Sequence, residues 1–219
     1  MRIIIINGSP RKSGVTASIL HNMEQELKAR GAEVEFYDLS DQNISQCQGC
    51  CACYKKGFCH IKDDAEKISE RIRKADGLIL GSPTYASNVS GYMKKMIDRG
   101  HFVIEQLLTG KYCVTVATGE NYGSKETSMI LNNLVLYSGG RLTSKFVINV
   151  PFNSLRDLSV GLKAADKLYD SIRKKRRYPL QAISHKIIFS FGIRPFVLKK
   201  GDLYKGVRDR WNENNIFVS

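Results

Sequence analysis

Six cysteines are the residues of this 219-residue chain with the most distinctive chemistry, and five of them lie close together. Cys47, Cys50, Cys53 and Cys59 have the spacing C-x2-C-x2-C-x5-C, with Cys51 as an extra thiol beside the second of them. In a reducing compartment such crowding favours metal, cluster or redox chemistry over structural disulfides. Three alternatives stay open: an iron–sulfur cluster, a structural zinc ion, and free or redox-active thiols.

A second candidate site is the segment NGSPRKSGVT at residues 7–16. It follows a run of branched apolar residues and leads into helical periodicity, and it carries three hydroxyls and the Arg11 guanidinium. A helix N-terminus with these groups is suited to binding a phosphate dianion. The segment matches neither GxxxxGK[ST] nor GxGxxG, which disfavours a nucleoside triphosphate loop and a Rossmann dinucleotide site.

The elements that must position these residues alternate along the first 177 residues. Apolar runs predict strands at 2–7, 33–39, 77–81, 112–118 and 143–150, and helical periodicity predicts helices over 16–30, 63–75, 90–108, 126–137 and 155–176. This alternation predicts an α/β fold, a flavodoxin-like doubly wound five-stranded parallel sheet. Two further loops, at 82–90 and 117–124, follow strand ends, so we expect them at the same sheet edge as residues 7–16.

The net charge of +13 is concentrated after residue 140, because residues 1–140 carry 17 basic and 15 acidic groups. From Tyr178 the alternation stops, and we predict a basic extension (178–219) with weak structure. It is expected to pack on the first domain or on a partner, with Trp211, Phe217 and Val218 as anchors. Contact with an anionic membrane surface is an alternative that the sequence does not favour. No nucleic-acid-binding module accompanies the charge.

Other classes are disfavoured. No apolar run approaches the ~20 residues of a membrane span, and the start lacks the pattern of a signal peptide, so we expect a cytoplasmic protein. No Ser-His-Asp pattern or H-E-x-x-H motif is present, and the four histidines are expected to be surface or helix-face residues. Cys113, inside an apolar strand, is expected to fill core space.

Three segments resemble one family. GSPRKSGVT, CQGCCACYKKGFCHIKDD (47–64) and GSPTYASNVSGYMKKMIDR (81–99) are similar to the phosphate loop, cysteine loop and second flavin loop of the NADPH-dependent FMN reductase and iron–sulfur flavoprotein group of the flavodoxin-like superfamily. The resemblance implies FMN binding, a homodimer and, if a cluster is present, a [4Fe–4S] cluster on Cys47, Cys50, Cys53 and Cys59. The implied FMN-binding residues are Ser9, Arg11, Ser13, Gly14, Val15, Thr16, Pro83, Thr84, Tyr85, Ala86, Ser87, Asn88, Thr118, Gly119, Tyr122 and Gly123.

The function that this resemblance implies is an FMN-dependent NAD(P)H oxidoreductase. Hydride would pass from nicotinamide to FMN N5 and on to a small acceptor such as a quinone or free flavin. Two alternatives are an iron–sulfur flavoprotein that transfers single electrons to a protein partner, and a flavin-binding sensor or regulator.

Overall fold

The computed structural model describes residues 1–150 and 159–216 and has a parallel sheet at its centre. The parallel strands are β1 (Arg2–Asn7), β2 (Glu33–Asp38), β3 (Gly77–Tyr85), β5 (Tyr112–Gly119) and β6 (Arg141–Asn149). Their order is β2-β1-β3-β5-β6, which is the flavodoxin-like order. The side chains of Ile3 to Ile6 are all fully buried, because helices cover both faces of the sheet. The predicted fold class is therefore confirmed.

The helices divide between the two faces. One face packs on α1 (Val15–Ala29) and α6 (Ser159–Arg173) around Ile3, Ile5 and Leu168. The other packs on α3 (Asp64–Arg73), α4 (Gly91–Arg99) and α5 (Ser124–Tyr137) around Ile4 and Ile6. A short helix, α2 (Ala52–Lys56), lies within the cysteine loop. Cys113 is fully buried in β5, as expected of a core residue, and burial raises the pKa of its thiol to about 12.

Two predicted boundaries are wrong. Strand β3 continues to Tyr85 and turns back into β4 (Asn88–Val89), an antiparallel partner within the segment predicted as a loop. The helix predicted over 90–108 ends at Arg99, and residues 100–110 form turns. At this end the Phe102 ring packs directly on Gly100, where a Cβ would collide with the ring, and His101 has a positive φ of 54°, which a helix cannot continue through.

The prediction of weak structure after Tyr178 is also wrong. The extension forms α7 (Pro179–Ile188), a π-helical turn, α8 (Arg194–Lys199) and α9 (Lys205–Glu213). Its buried residues form a third hydrophobic cluster with Tyr54 and Ile104 of the first domain, and Trp211 is fully buried in it. Phe217, Val218 and the predicted start of the helix over 155–176 lie outside the described residues.

None of the helices in the described part of the chain is long and apolar enough to span a bilayer.

Candidate functional site

The loop between β1 and α1 is held in shape by its own side chains. Asn7 Oδ1 accepts a hydrogen bond from the Ser9 backbone N–H at 3.0 Å, and Asn7 Nδ2 donates to Asp38 at 2.6 Å. Ser9 Oγ accepts from the Arg11 N–H and donates to the Arg11 carbonyl, both at 3.1 Å. A loop ordered in this way loses little conformational freedom when it receives a ligand.

Helix α1 starts without a side-chain cap. Its N-cap residue, Gly14, has no side chain to accept hydrogen bonds, and the first turn contains no acidic residue. The N–H groups and the dipole at this end of a 15-residue helix therefore suit a phosphate group. Beside it a cavity of about 240 Å³ is lined by Ser9, Arg11, Val15 and Thr16, whereas Ser13 and Gly14 are not part of its lining.

The same cavity extends over the ends of β3 and β5. The sheet pairs Pro83 with Thr118, so the two strand ends lie side by side, and the lining there includes Pro83, Thr84, Tyr85, Thr118 and Gly119. A second cavity, of about 170 Å³, shares Thr84 and is lined further by Ala86, Ser87 and Tyr122. The structure thus brings most of the predicted flavin-binding residues to one sheet edge.

Three lining residues are absent from the predicted flavin-binding set. Glu120 and Asn121 lie within the predicted loop 117–124, beside Tyr122, and Val150 directly follows β6. Their position after strand ends was the available signal. Conversely, Asn88 lies in β4, where its Oδ1 accepts from the Val89 N–H at 2.8 Å, and it does not line either cavity.

The loop after β3 (82–90) and the loop after β5 (117–124), which we call the ring loops, contact each other through their backbones. Ala86 and Ser87 form the turn between β3 and β4, and both have positive φ angles, 48° and 59°. Gly123, with φ +83°, packs against this turn so closely that a Cβ there would lie 2.7 Å from the Ser87 Cα. Left-handed conformations of non-glycine residues are uncommon and concentrate at functional sites.

The donors at this edge fit an FMN molecule. Thr84 Oγ1 is buried and has no hydrogen-bond partner among the residues that the structure describes, although Thr84 lines both cavities. A buried polar atom of this kind needs a partner, and a ligand in the cavity can supply one. The uncapped start of α1 fits the phosphate, and the Thr84 hydroxyl and the small residues of the ring loops fit a flat polar ring.

The cysteines line a different cavity. Cys47, Cys50, Cys51, Cys53 and Cys59 all face one space of about 340 Å³, and none forms a disulfide. Cys47 and Cys50 are exposed, whereas Cys59 is buried. Within residues 1–150 and 159–216, no three His, Cys, Asp or Glu side chains are close enough to hold one metal ion. Several cysteine thiols around one open space are the donor type that iron–sulfur clusters use in proteins.

Two cationic groups border the cysteine cavity. His101 lies within it rather than on the surface, which corrects the expectation for that histidine. Burial opposes protonation of His101, but hydrogen bonds to Cys53 and Glu105 outweigh burial and raise its pKa to about 10. Burial likewise opposes the charge on Arg99, but Asp63 and the neighbouring Cys59 outweigh it and raise its pKa.

The C-terminal extension packs against the cysteine loop through α9. Arg210 Nε donates to the Gly57 carbonyl at 3.2 Å, and the Tyr54 and Tyr204 rings stack at 4.7 Å. Trp211 Nε1 donates to the Ile104 carbonyl at 2.9 Å. The helix α2 of the cysteine loop therefore packs directly on α9.

The strand order and the phosphate-and-ring cavity at the carboxyl ends of the strands define a flavodoxin-like protein with a flavin-type site. The chain belongs to the NADPH-dependent FMN reductase family, whose family model matches residues 1–152. The flavin oxidoreductase family expected from the sequence is thereby confirmed.

Two curated proteins illustrate the relationship. An iron–sulfur flavoprotein of Clostridioides difficile (strain 630) is 36% identical over 224 residues, covering 99% of this chain and 100% of that protein. The FMN reductase (NADPH) of Escherichia coli (strain K12) is 30% identical over 122 residues, covering 54% of this chain and 56% of that protein. A solved structure of an NADH:FMN oxidoreductase in its apo form has a TM-score of 0.58 at 19% identity, over 83% of this chain and 93% of that one, and so shares the fold.

Proposed function

We propose that this protein is an iron–sulfur flavoprotein, an FMN-dependent oxidoreductase whose cysteine loop holds a [4Fe–4S] cluster. The observation that carries the proposal is the convergence of Cys47, Cys50, Cys53 and Cys59 on one cavity. The C. difficile iron–sulfur flavoprotein supports it, because the similarity includes both the cysteine loop and the C-terminal extension. Of the functions weighed from the sequence, this was the first alternative.

The chain's own residues would hold FMN in two parts. Ser9, Arg11 and the N-terminus of α1 would bind the phosphate, and the ends of β3 and β5 would hold the ring. The buried Thr84 hydroxyl is available to bond to a ring atom. FMN supplies hydride acceptance and single-electron release, and a [4Fe–4S] cluster supplies single-electron storage.

Helix α4 connects the two sites. At its start, Ser90 Oγ donates to the Gly8 carbonyl of the phosphate loop at 2.6 Å. At its end, Ile97, Asp98 and Arg99 line the cysteine cavity. A helix of nine residues is about 13 Å long, so this one rigid element sets the spacing of the two sites.

A second candidate function is the reduction of a small acceptor with NAD(P)H as electron donor. The family description and the E. coli FMN reductase (NADPH) support it. Tyr122 is 80% exposed in the ring loop, so a diffusible molecule can approach this part of the site. A second subunit covering the same exposed loop would form the homodimer that the resemblance implies.

The test is the visible spectrum of protein purified without oxygen, with iron, acid-labile sulfide and FMN measured per chain. We expect flavin bands over a broad brown absorbance, with about four irons and four sulfides per chain. A plain flavin spectrum that bleaches with NADPH, without iron after anaerobic reconstitution, would support the second candidate and reject the cluster. Absence of flavin after FMN is added would reject both.

A further inference from the structure

Arg99 is a charged residue buried at the base of the cysteine loop. Its side chain is only 1% exposed, and a guanidinium in that position is stable only when it is paired and hydrogen-bonded. The partner is Asp63, which it meets in a two-pronged ion pair, Nη1 to Oδ2 at 2.8 Å and Nη2 to Oδ1 at 3.0 Å.

The same guanidinium binds both ends of the cysteine loop. Nη1 donates to the Ser45 carbonyl at 3.0 Å, and Nη2 donates to the Ile61 carbonyl at 3.2 Å. These two carbonyls flank the segment that contains all four spaced cysteines. Asp63 adds a third tie, because its carboxylate accepts from the Ser45 N–H at 2.9 Å and from the Ala65 N–H at 3.1 Å at the start of α3.

The hydrogen bonds described above use Nη1 and Nη2 of Arg99, and its third nitrogen, Nε, takes part in none of them. Its Nε is buried and forms no hydrogen bond of good geometry among the described residues. Cys59, which lines the same cavity, is the thiol that interacts with the guanidinium, both electrostatically and as a hydrogen-bonding neighbour. A buried donor without a partner is costly, so an occupant of the cavity that accepts a hydrogen bond would remove that cost.

We propose that Arg99 is the positioning residue of the cysteine site. It holds the two ends of the cysteine loop together through the Ser45 and Ile61 carbonyls. It also donates its Nε–H to a sulfur atom of an anionic, thiolate-bound cluster at the Cys59 end of the cavity. The part that concerns the cluster rests on the proposed function. The closure of the loop does not, because its bonds are present in the chain itself. The planar guanidinium bonds the carboxylate through two nitrogens and still reaches both carbonyls, and the single nitrogen of a lysine ammonium does not reproduce this geometry.

The experiment compares wild type, Arg99→Lys and Arg99→Gln with the control Lys94→Gln. Lys94 lies on the same helix, but its ammonium pairs with Asp98 in an exposed salt bridge. Iron, sulfide and FMN per chain are measured after anaerobic reconstitution, and hydrogen exchange of residues 45–61 is measured in the iron-free protein. We expect all three variants to keep FMN. Arg99→Lys and Arg99→Gln should lose most of their iron and exchange about tenfold or more faster in that segment, whereas Lys94→Gln should match wild type in both measurements.

The outcomes separate this inference from the function on which it rests. If Arg99→Lys retains iron and loop protection like wild type, the inference is wrong. If both Arg99 variants lose FMN together with iron, Arg99 supports the whole fold and the specific role is rejected. If wild type takes up no iron at all, the proposed function fails, and the closure of the loop is then judged by hydrogen exchange alone.

Discussion

Thr16 and Thr118 share a buried hydrogen bond of 2.7 Å between their hydroxyl oxygens, although 102 positions separate them along the chain. Thr16 lies in the first turn of α1, beside the phosphate loop, and Thr118 lies near the end of β5, beside the ring loop. The bond therefore joins the two halves of the candidate flavin site, and both side chains line its cavity.

Replacing either threonine should weaken both stability and FMN binding. Thr16→Val leaves the Thr118 hydroxyl buried without this partner, which costs about 1–3 kcal/mol. For a chain of this size the melting temperature should fall by about 2–4 °C per kcal/mol. Calorimetry of the two single variants and the double variant checks this. We expect the free energy of unfolding to fall less in the double variant than the sum of the two single decreases. Strict additivity would show that the two hydroxyls do not stabilise each other.

The phosphate loop can be tested through Arg11, which lines the cavity. Arg11→Ala should bind FMN about 10- to 100-fold more weakly, because a hydrogen bond to a charged group contributes about 1.5–3 kcal/mol. Quenching of FMN fluorescence on titration with apoprotein measures this affinity. Lys12→Ala is the matched control, since the Lys12 ammonium pairs with Asp41 at 2.7 Å on the surface. If the Arg11 variant and Lys12→Ala bind FMN with equal affinity, the phosphate does not bind at this loop.

The contact between the ring loops depends on Gly123. Gly123→Ala places a methyl group against the Ser87 backbone in a left-handed conformation, so it should destabilise the loop and reduce FMN affinity. Gly110→Ala serves as control, because Gly110 also has a positive φ, 78°, but an added Cβ there has open space. The difference between the two variants in FMN affinity isolates the contact. Identical affinities would show that the turn at Ala86 and Ser87 does not shape the ring site.

Substitution of single cysteines distinguishes the proposed cluster ligands from the extra thiol of Cys51. Cys50→Ser should abolish iron binding and leave FMN bound, because it removes one of the four spaced thiolates from the cavity. Cys51→Ser, a change in the next residue, should keep its iron. Iron and sulfide analysis with FMN content decides the matter. Loss of iron in Cys51→Ser and retention in Cys50→Ser would reverse the assignment.

The extension should matter most for the cysteine loop. Trp211→Ala removes a fully buried side chain, which costs about 3–5 kcal/mol, together with the hydrogen bond to the Ile104 carbonyl. Hydrogen exchange of residues 52–57 should accelerate more than that of β1. Leu180→Ala, at a side chain that is 82% exposed, should leave both unchanged. A uniform acceleration in Trp211→Ala would mean that the extension supports the whole fold.

The sheet and the location of the flavin site followed from local pattern. Runs such as Ile3–Ile6 are continuous because both faces of a parallel sheet are covered, and the loops after such runs meet at one edge. The turn at Ala86 and Ser87 gave no such signal, because neither residue is of a type that marks a left-handed turn.

The parts that sequence reasoning missed depend on long-range contacts. The end of α4 is set by Phe102 packing on Gly100, which no periodicity reports. In the extension, exposed apolar side chains such as Leu180 and Phe191 occur together with buried ones such as Val197 and Trp211, so no clear helical stripe appears. The pairing of Arg99 with Asp63 joins positions 36 apart and could not be inferred from spacing.

The support of the cysteine loop by α9 has a consequence for biosynthesis. Arg210 is joined to the chain 153 residues after its partner Gly57. At about 5–20 residues per second, the ribosome completes the cysteine loop roughly eight to thirty seconds before it reaches Arg210. During this interval the flavin-binding segments are emerging and the thiols lack the packing of Trp211. Nascent chains halted before α9 would therefore present the most oxidation-prone form of these thiols.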